Sequence, residues 1–320
     1  MTHSPSPALA AIRPPAPPVS TFGGTQVLRP DVVRVRLPMV NVYLLGHPGE
    51  PWVLVDAGMP GMAGLIRAAA ERHHRGRAPE AIVLTHGHLD HIGALRELLR
   101  EWRVPVYAHS LELPHLTGER PYPFPDPTVG GVMSTLSPAF LPGPFDFRPH
   151  VHALPEGGEL AFLPGWQVLH TPGHTAGHVS LWRDSDRTLI VGDAFVTTRQ
   201  ETVTGALTLR PTIVHGPPAY YTPNWDAARD SVRSLANLDP DLAATGHGHP
   251  MFCPEMAIEL HRLARNFDEA ARPVRGWYLD HPVPMGEPGG TTSAPDSRGR
   301  LVLYALAGAG LVLLLRGRRR

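Results

Sequence analysis

A single cysteine, Cys253, stands in the 320 residues, so no intrachain disulfide can form and a reducing compartment suits the chain. With Phe252 and Pro254 beside it and no motif around it, Cys253 is expected to be a buried structural thiol and not a nucleophile. Neither sign of charge dominates: 29 basic residues balance 29 acidic ones, which removes the basic field that a nucleic-acid surface needs. The chain also lacks a Gly-x-Ser-x-Gly elbow, a phosphate-binding loop and a dinucleotide-binding glycine pattern. Water activation is the chemistry left with residues to support it. Residues 1–20, rich in Pro, Ser and Ala, lack the basic start and apolar core of an export signal and read as a disordered lead.

What is present is histidine, and it is concentrated. Residues 81–91 read Ala-Ile-Val-Leu-Thr-His-Gly-His-Leu-Asp-His, an apolar strand that ends in three histidines and an aspartate within six positions. Imidazole and carboxylate are the ligands a borderline divalent ion such as zinc prefers. In an extended segment His86 and His88 point to the same side, which suits two ligands on one metal. Asp90 and His91 fall where the chain turns toward a helix, so they can face a second ion. Alone, a His-x-His would read as an ordinary histidine-rich loop. Here His174 (Thr171-Pro-Gly-His-Thr-Ala-Gly-His178), Asp193 (Ile190-Val-Gly-Asp-Ala) and His247 (Thr245-Gly-His-Gly-His249) each follow a further short apolar run. Most of the other histidines need no role, and His73 and His74, in a charged helix end, read as solvated.

Taken together these segments resemble the metallo-β-lactamase superfamily, whose pattern is Thr-His-x-His-x-Asp-His, a later His, a bridging Asp and a last His. The resemblance implies an α/β fold, a four-layered αββα sandwich with the metals at one edge between two sheets. It also implies one divalent ion on His86, His88 and His174, a second on Asp90, His91 and His247, and Asp193 bridging them. Zinc is the expected metal, with manganese or iron as alternatives. Such a pair brings a bound water toward neutral pKa and polarises a carbonyl. Asp90 is then the catalytic carboxylate, orienting that water or carrying its proton to the leaving group. The expected reaction is hydrolysis of an ester, lactone or thioester of a small molecule. Asp193 points toward the glyoxalase II and lactonase side of the superfamily, and His88 points away from the flavodiiron reductases. Ala194–Thr198 carries no tyrosine of the kind quorum-quenching lactonases tend to have, and no glutathione-binding basic residues align. A mononuclear iron oxygenase acting on persulfides and a non-catalytic metal-binding scaffold are the alternatives.

The rest of the chain arranges itself around these sites. Strands are expected at 32–37, 41–45, 52–55, 81–84, 105–108, 151–154, 158–162, 166–169, 179–182, 188–191 and 242–245, with helices at 61–75, 92–102, 225–238 and 254–271. Asp56, at the end of its strand, is either an acceptor for a ligand imidazole or a turn cap. His178 is expected to support the site without ligating. Arg199, Tyr220 and Tyr221, in an irregular stretch at 196–224, are candidates for touching substrate. Residues 117–149 carry eight prolines with Tyr122, Phe124, Met133, Phe140, Phe145 and Phe147, and read as a lid-like insertion giving the pocket an apolar wall. Residues 21–280 thus form one catalytic domain.

Beyond it, 281–300 read as a flexible linker and 301–320 as a hydrophobic tail closed by an arginine cluster. As a helix, 301–315 would span ~22 Å, short of the ~30 Å hydrocarbon core unless flanking arginines snorkel. The expectation is a membrane tether with the catalytic domain on the cytoplasmic side, in keeping with the missing export signal. With a reporter fused to each end, protease added to intact cells should spare the N-terminal one; protection of both ends would exclude a spanning tail.

Overall fold

The computed structural model describes residues 21–155, 160–202, 205, 208–286, 293–295, 297 and 298. The lead expected at 1–20 and the tail expected at 301–320 lie outside the described residues. Among the described residues no helix is long and apolar enough to cross a membrane.

Alternation of apolar side chains dictates the layering. In β3 (Asn41–Leu45), β4 (Val53–Val55) and β5 (Ala81–Val83), Tyr43, Leu45, Val53, Val55 and Val83 face one core, while Leu44, Leu54 and Ile82 face another. A chain with both faces apolar is stable only if both faces are covered. The first sheet runs in the order β1 (Thr25–Arg29), β2 (Val32–Arg36), β3, β4, β5, β6 (Val106–Ala108) and β7 (Val151–Ala153). Its first four strands are antiparallel and β4 to β7 are parallel. Its outer face is covered by α1 (Ala63–His74) and α3 (Leu95–Trp102), whose Ile66, Leu95 and Leu98 enter the core with Leu44 and Leu54.

The second sheet has the order β12 (Met251–Phe252), β11 (Leu242–Thr245), β10 (Thr188–Gly192), β9 (Val179–Arg183), β8 (Gln167–His170). Ile190 and Leu242 face inward to the first sheet, whereas Leu189, Val191 and Ala243 pack outward under α6 (Trp225–Ala236) and α7 (Glu255–Arg265). The result is the expected four-layered αββα sandwich. Asn224 caps α6, its Oδ1 accepting from the Ala227 N–H at 2.9 Å.

Several expectations need correction. The helix expected over 92–102 is two pieces: a single turn, α2 (Leu89–Ile92), and α3, separated at Gly93 and Ala94. Leu160–Phe162 is a turn, with the Leu163 N–H donating to the Leu160 carbonyl, so the strand expected at 158–162 is absent in its described part. Cys253 is exposed, because it follows β12, the strand at the sheet's edge. The linker is packed where it is described. Val283 is buried and pairs with Pro223 through its N–H, Asn224 Nδ2 donates to its carbonyl, and Ala294 is buried beside Tyr278. Burial of Tyr278 and Val283 supplies the apolar contact that the composition of 281–300 hides.

His74 is also not solvated. It lies on the buried face of α1, stacked on Trp52 with ring centroids 4.6 Å apart, and burial holds its pKa down at about 4. A histidine with a folded pKa below its unfolded value of 6.5 costs stability as pH falls through that interval, because the unfolded chain takes the proton first. His74→Phe is therefore expected to flatten the fall in Tm between pH 6.5 and 4, measured by thermal melts at fixed ionic strength. An unchanged slope would show that His74 is not the group titrating.

Candidate metal centre

Every segment expected at the site reaches the same edge of the sandwich, because the strands that deliver them end there. His86 and His88 follow β5, and Asp56 follows β4, which is parallel to it. Asp193 follows β10 and His247 follows β11, again parallel neighbours. His174 lies in the connection from β8 to β9. Two backbone hydrogen bonds close the edge across the sheets, Val179 N–H to Thr85 O at 2.9 Å and Asn41 N–H to Gly246 O at 2.8 Å. His88 is extended at φ −67° and ψ 151°, and α2 begins immediately after it, so Asp90 and His91 leave the backbone in a new direction.

Three overlapping sets of side chains result: His86, His88 and His174; His86, His91 and Asp193; Asp90, His91 and His247. Within each set the ligating atoms lie within 4.8 Å of one another. Asp193 Oδ2 sits between the sets, 3.0 Å from His247 Nε2, 3.5 Å from His91 Nε2 and 3.6 Å from His174 Nε2. Asp90 Oδ2 is 3.3 Å from His247 Nε2. His88 Nδ1 and His174 Nε2 approach to 3.0 Å. Gly246 passes so close that a Cβ there would lie 2.2 Å from Asp193 Oδ1. All of these groups are buried except Asp90, which is half-exposed on the open side.

The far sides of the His86, His91, His174 and His247 rings are tied down, and the ties set the tautomers. Asp56 accepts from the Thr85 N–H at 2.8 Å, the Thr85 hydroxyl at 2.9 Å and His91 Nδ1 at 2.8 Å. The Thr85 oxygen in turn accepts from His86 Nδ1 at 3.1 Å. His247 Nδ1 donates to the Met39 carbonyl at 2.6 Å, and His174 Nδ1 reaches Thr222 Oγ1 at 3.4 Å. His178 belongs to none of the three sets. Its Nδ1 faces Thr171 and its Nε2 accepts the Asp193 N–H at 2.8 Å, so it holds the backbone that carries Asp193.

Electrostatics divide the centre in two. Burial and neighbouring imidazoles push His86 and His174 well below the usual histidine range, and burial brings His88 to about 3. These three rings are neutral donors. At the other end burial is outweighed by Asp193 and Asp90, which raise His247 to about 10, and by Asp193, Asp56 and Asp90, which raise His91. Against burial, His247 and His91 hold Asp193 well below the carboxylate range, and His91 and His247 do the same for Asp90. That end attracts positive charge.

Three buried atoms point into this centre with no hydrogen-bond partner: His86 Nε2, His91 Nε2 and Asp193 Oδ1. Each unsatisfied buried group of this kind costs about 1–3 kcal/mol. Two imidazole nitrogens and a carboxylate oxygen, converging and bare, fit a divalent cation that takes nitrogen and oxygen ligands.

Of the substrate-contact candidates, Tyr221 is at the centre, its ring 4.3 Å from that of His88. Tyr220 is buried one layer back, against Met133 and Phe140. Arg199 lines a separate surface groove with Arg262 and Glu269 that shares no residue with the histidine cluster. The chain turns away there, with Thr202 bonding back to the Arg199 carbonyl. Next to His88 and His174 lies a pocket walled by Tyr122, Phe124, Tyr221, Tyr278, Val283 and Met285; among the described residues no Asp, Glu, Lys or Arg lines it, and the Arg298 guanidinium stands 4.9 Å from the ring of Phe124. The insertion at 117–149 thus supplies two of its walls. The sequence reading missed the contribution of Tyr278, Val283 and Met285, and it missed Glu112, a fully buried acid between two of the histidine loops.

The family model described as the metallo-beta-lactamase superfamily matches residues 35–247. The "Probable metallo-hydrolase YflN" of Bacillus subtilis (strain 168) is 46% identical over 234 residues, covering 72% of this chain and 88% of the relative. The "Probable metallo-hydrolase YybB" of the same organism is 31% identical over 225 residues, covering 70% of this chain and 86% of the relative. Among solved structures, a beta-lactamase domain protein from Burkholderia ambifaria matches with a TM-score of 0.56 at 22% identity, covering 79% of each chain, a likeness of fold.

Asp56 is close enough to orient His91, which separates its two possible roles. Asp56→Asn keeps a residue that tolerates the positive φ of 62° found there but places an NH₂ among donors. It is expected to weaken binding of one zinc equivalent about 10–100-fold in chelator competition. Unchanged affinity would reduce Asp56 to a turn cap.

Proposed function

The chain belongs to the metallo-β-lactamase superfamily and is a metal-dependent hydrolase; from that premise we propose that it works with two divalent ions, zinc first, and cleaves an ester, lactone or thioester of a small, largely apolar molecule. The observation that carries the reading is the trio of bare, buried atoms on His86, His91 and Asp193, each shared by or adjoining two ligand sets. One ion would be held by His86, His88 and His174, the other by Asp90, His91 and His247, with Asp193 between them. Bound there, such ions supply Lewis-acid polarisation of a carbonyl and a hydroxide nucleophile at neutral pH.

The chain's own residues do the remaining work. Thr85, Asp56, Met39 and Thr222 hold the far nitrogens of His86, His91, His247 and His174, so the near nitrogens are the ones turned inward to meet an ion. His178 fixes the Asp193 backbone. Asp90 is the half-exposed carboxylate of the set, and in this reading it accepts the proton released by the attacking water and passes it to the leaving group. The described residues that line the pocket are mostly aromatic and aliphatic. That lining supports an apolar acyl chain in the substrate.

Two ligand sets, each with its own polar support, favour the two-ion reading over the mononuclear iron oxygenase. Loaded with zinc or manganese and offered lactone, thioester, aryl ester, β-lactam and phosphodiester substrates, the protein should prefer an uncharged acyl substrate. Asp193→Ala should lower its kcat/KM about 100-fold or more. A single bound iron with oxygen uptake would instead identify the oxygenase, and silence with two ions bound would leave the scaffold.

A further inference from the structure

Glu112 is fully buried, forms no ion pair with a described residue, and lies outside the seven side chains of the centre. A carboxylate out of water costs several kcal/mol unless hydrogen bonds replace its hydration. Here four donors do so. Oε2 accepts from the Gly87 N–H at 3.0 Å and from the Tyr122 hydroxyl, and Oε1 accepts from the Thr175 hydroxyl at 2.7 Å and the Gly177 N–H at 2.8 Å. An ionised carboxylate has about four acceptor positions, so its capacity is used. Gly87 stands between His86 and His88, and Thr175 to Gly177 follow His174. The first loop leaves β5 in one sheet and the second joins β8 to β9 in the other.

Resting on the two-ion reading, we propose that Glu112 is a positioning residue for one ion site only: it clamps the two loops that present His86, His88 and His174 and ties them to the pocket wall through Tyr122. No bond from Glu112 reaches the supports of the other set, which are Asp56 for His91 and Met39 for His247. The Tyr122 ring, 4.9 Å from His88 and stacked on His115 at 3.9 Å, lines the pocket while its hydroxyl holds the clamp. Gly177 is part of the same fit, since a Cβ there would come within 2.9 Å of both the Glu112 side chain and its backbone nitrogen.

Glutamine cannot substitute for this acid. Each carboxylate oxygen accepts from one backbone N–H, so either orientation of the amide sets its NH₂ against a donor that cannot rotate away. The test is zinc titration of the metal-free full chain against a chelating indicator, with the visible spectrum of the cobalt-substituted protein as second readout. Glu112→Gln should keep one equivalent at wild-type affinity and weaken the other about 10–100-fold. Asp56→Asn loosens His91 directly and His86 only through Thr85, so it should weaken chiefly the other equivalent, and the double variant is weakened at both. Tyr122→Phe removes a single donor and keeps the ring, and should shift the same equivalent less, with only a small fall in melting temperature for the metal-free protein; it carries the test if Glu112→Gln does not fold. Equal weakening of both equivalents, or of neither, overturns the assignment. Failure of the two-ion reading itself would show separately, as a wild-type protein that takes up fewer than two equivalents.

Discussion

The structure depends on one demand: seven metal-seeking side chains must be gathered at the buried junction of two sheets without collapsing onto one another. Imidazoles and carboxylates in a low-dielectric site pair with whatever is nearest, and the 3.0 Å approach of His247 to Asp193 shows that tendency. Spacing survives because most rings of the centre are anchored from behind. Asp56 and Thr85 hold His91 and His86, Met39 holds His247, Thr222 holds His174, and His178 holds the backbone of Asp193.

The αββα architecture follows from the same demand. Loops able to carry that many buried polar groups must start from a rigid base, and parallel neighbours such as β4 with β5 and β10 with β11 bring their ends out at one edge. The apolar alternation of those strands gives each sheet two covered faces, so the polar loops are carried at the strand ends. The pocket is completed from elsewhere. The proline-rich insertion contributes Tyr122 and Phe124, and the segment after residue 276 contributes Tyr278, Val283 and Met285, stitched together by the Tyr278 hydroxyl on the Phe124 carbonyl.

How much could be read beforehand depended on the range of the interaction. Period-two apolar runs gave most strands of both sheets but not the edge strands β1 and β12, and the strand at 158–162 failed as a reading because a short apolar run bounded by glycines and proline is equally compatible with a turn. His74 and Cys253 were misjudged for one reason: burial is a property of the face or edge that the rest of the protein covers, and neither composition nor neighbours report it. Arg199 fell away because the turn at Thr202 carries it to another surface.

The two buried carboxylates behind the centre mark the boundary. Asp56 was visible in the sequence because it ends a strand, and a residue at a strand end has its position set by local geometry. Glu112 was not, since its partners at 87, 122, 175 and 177 share no spacing and meet only after two sheets have packed. The sequence by itself determined the ligand types, their order and the strands that carry them, because those are written in short periods and contiguous motifs. Tertiary structure alone decided the supports at Met39, Thr222 and Glu112 and the pocket walls at Tyr278, Val283 and Met285, because hydrogen bonds and apolar contacts between distant segments depend on distance in space and not along the chain.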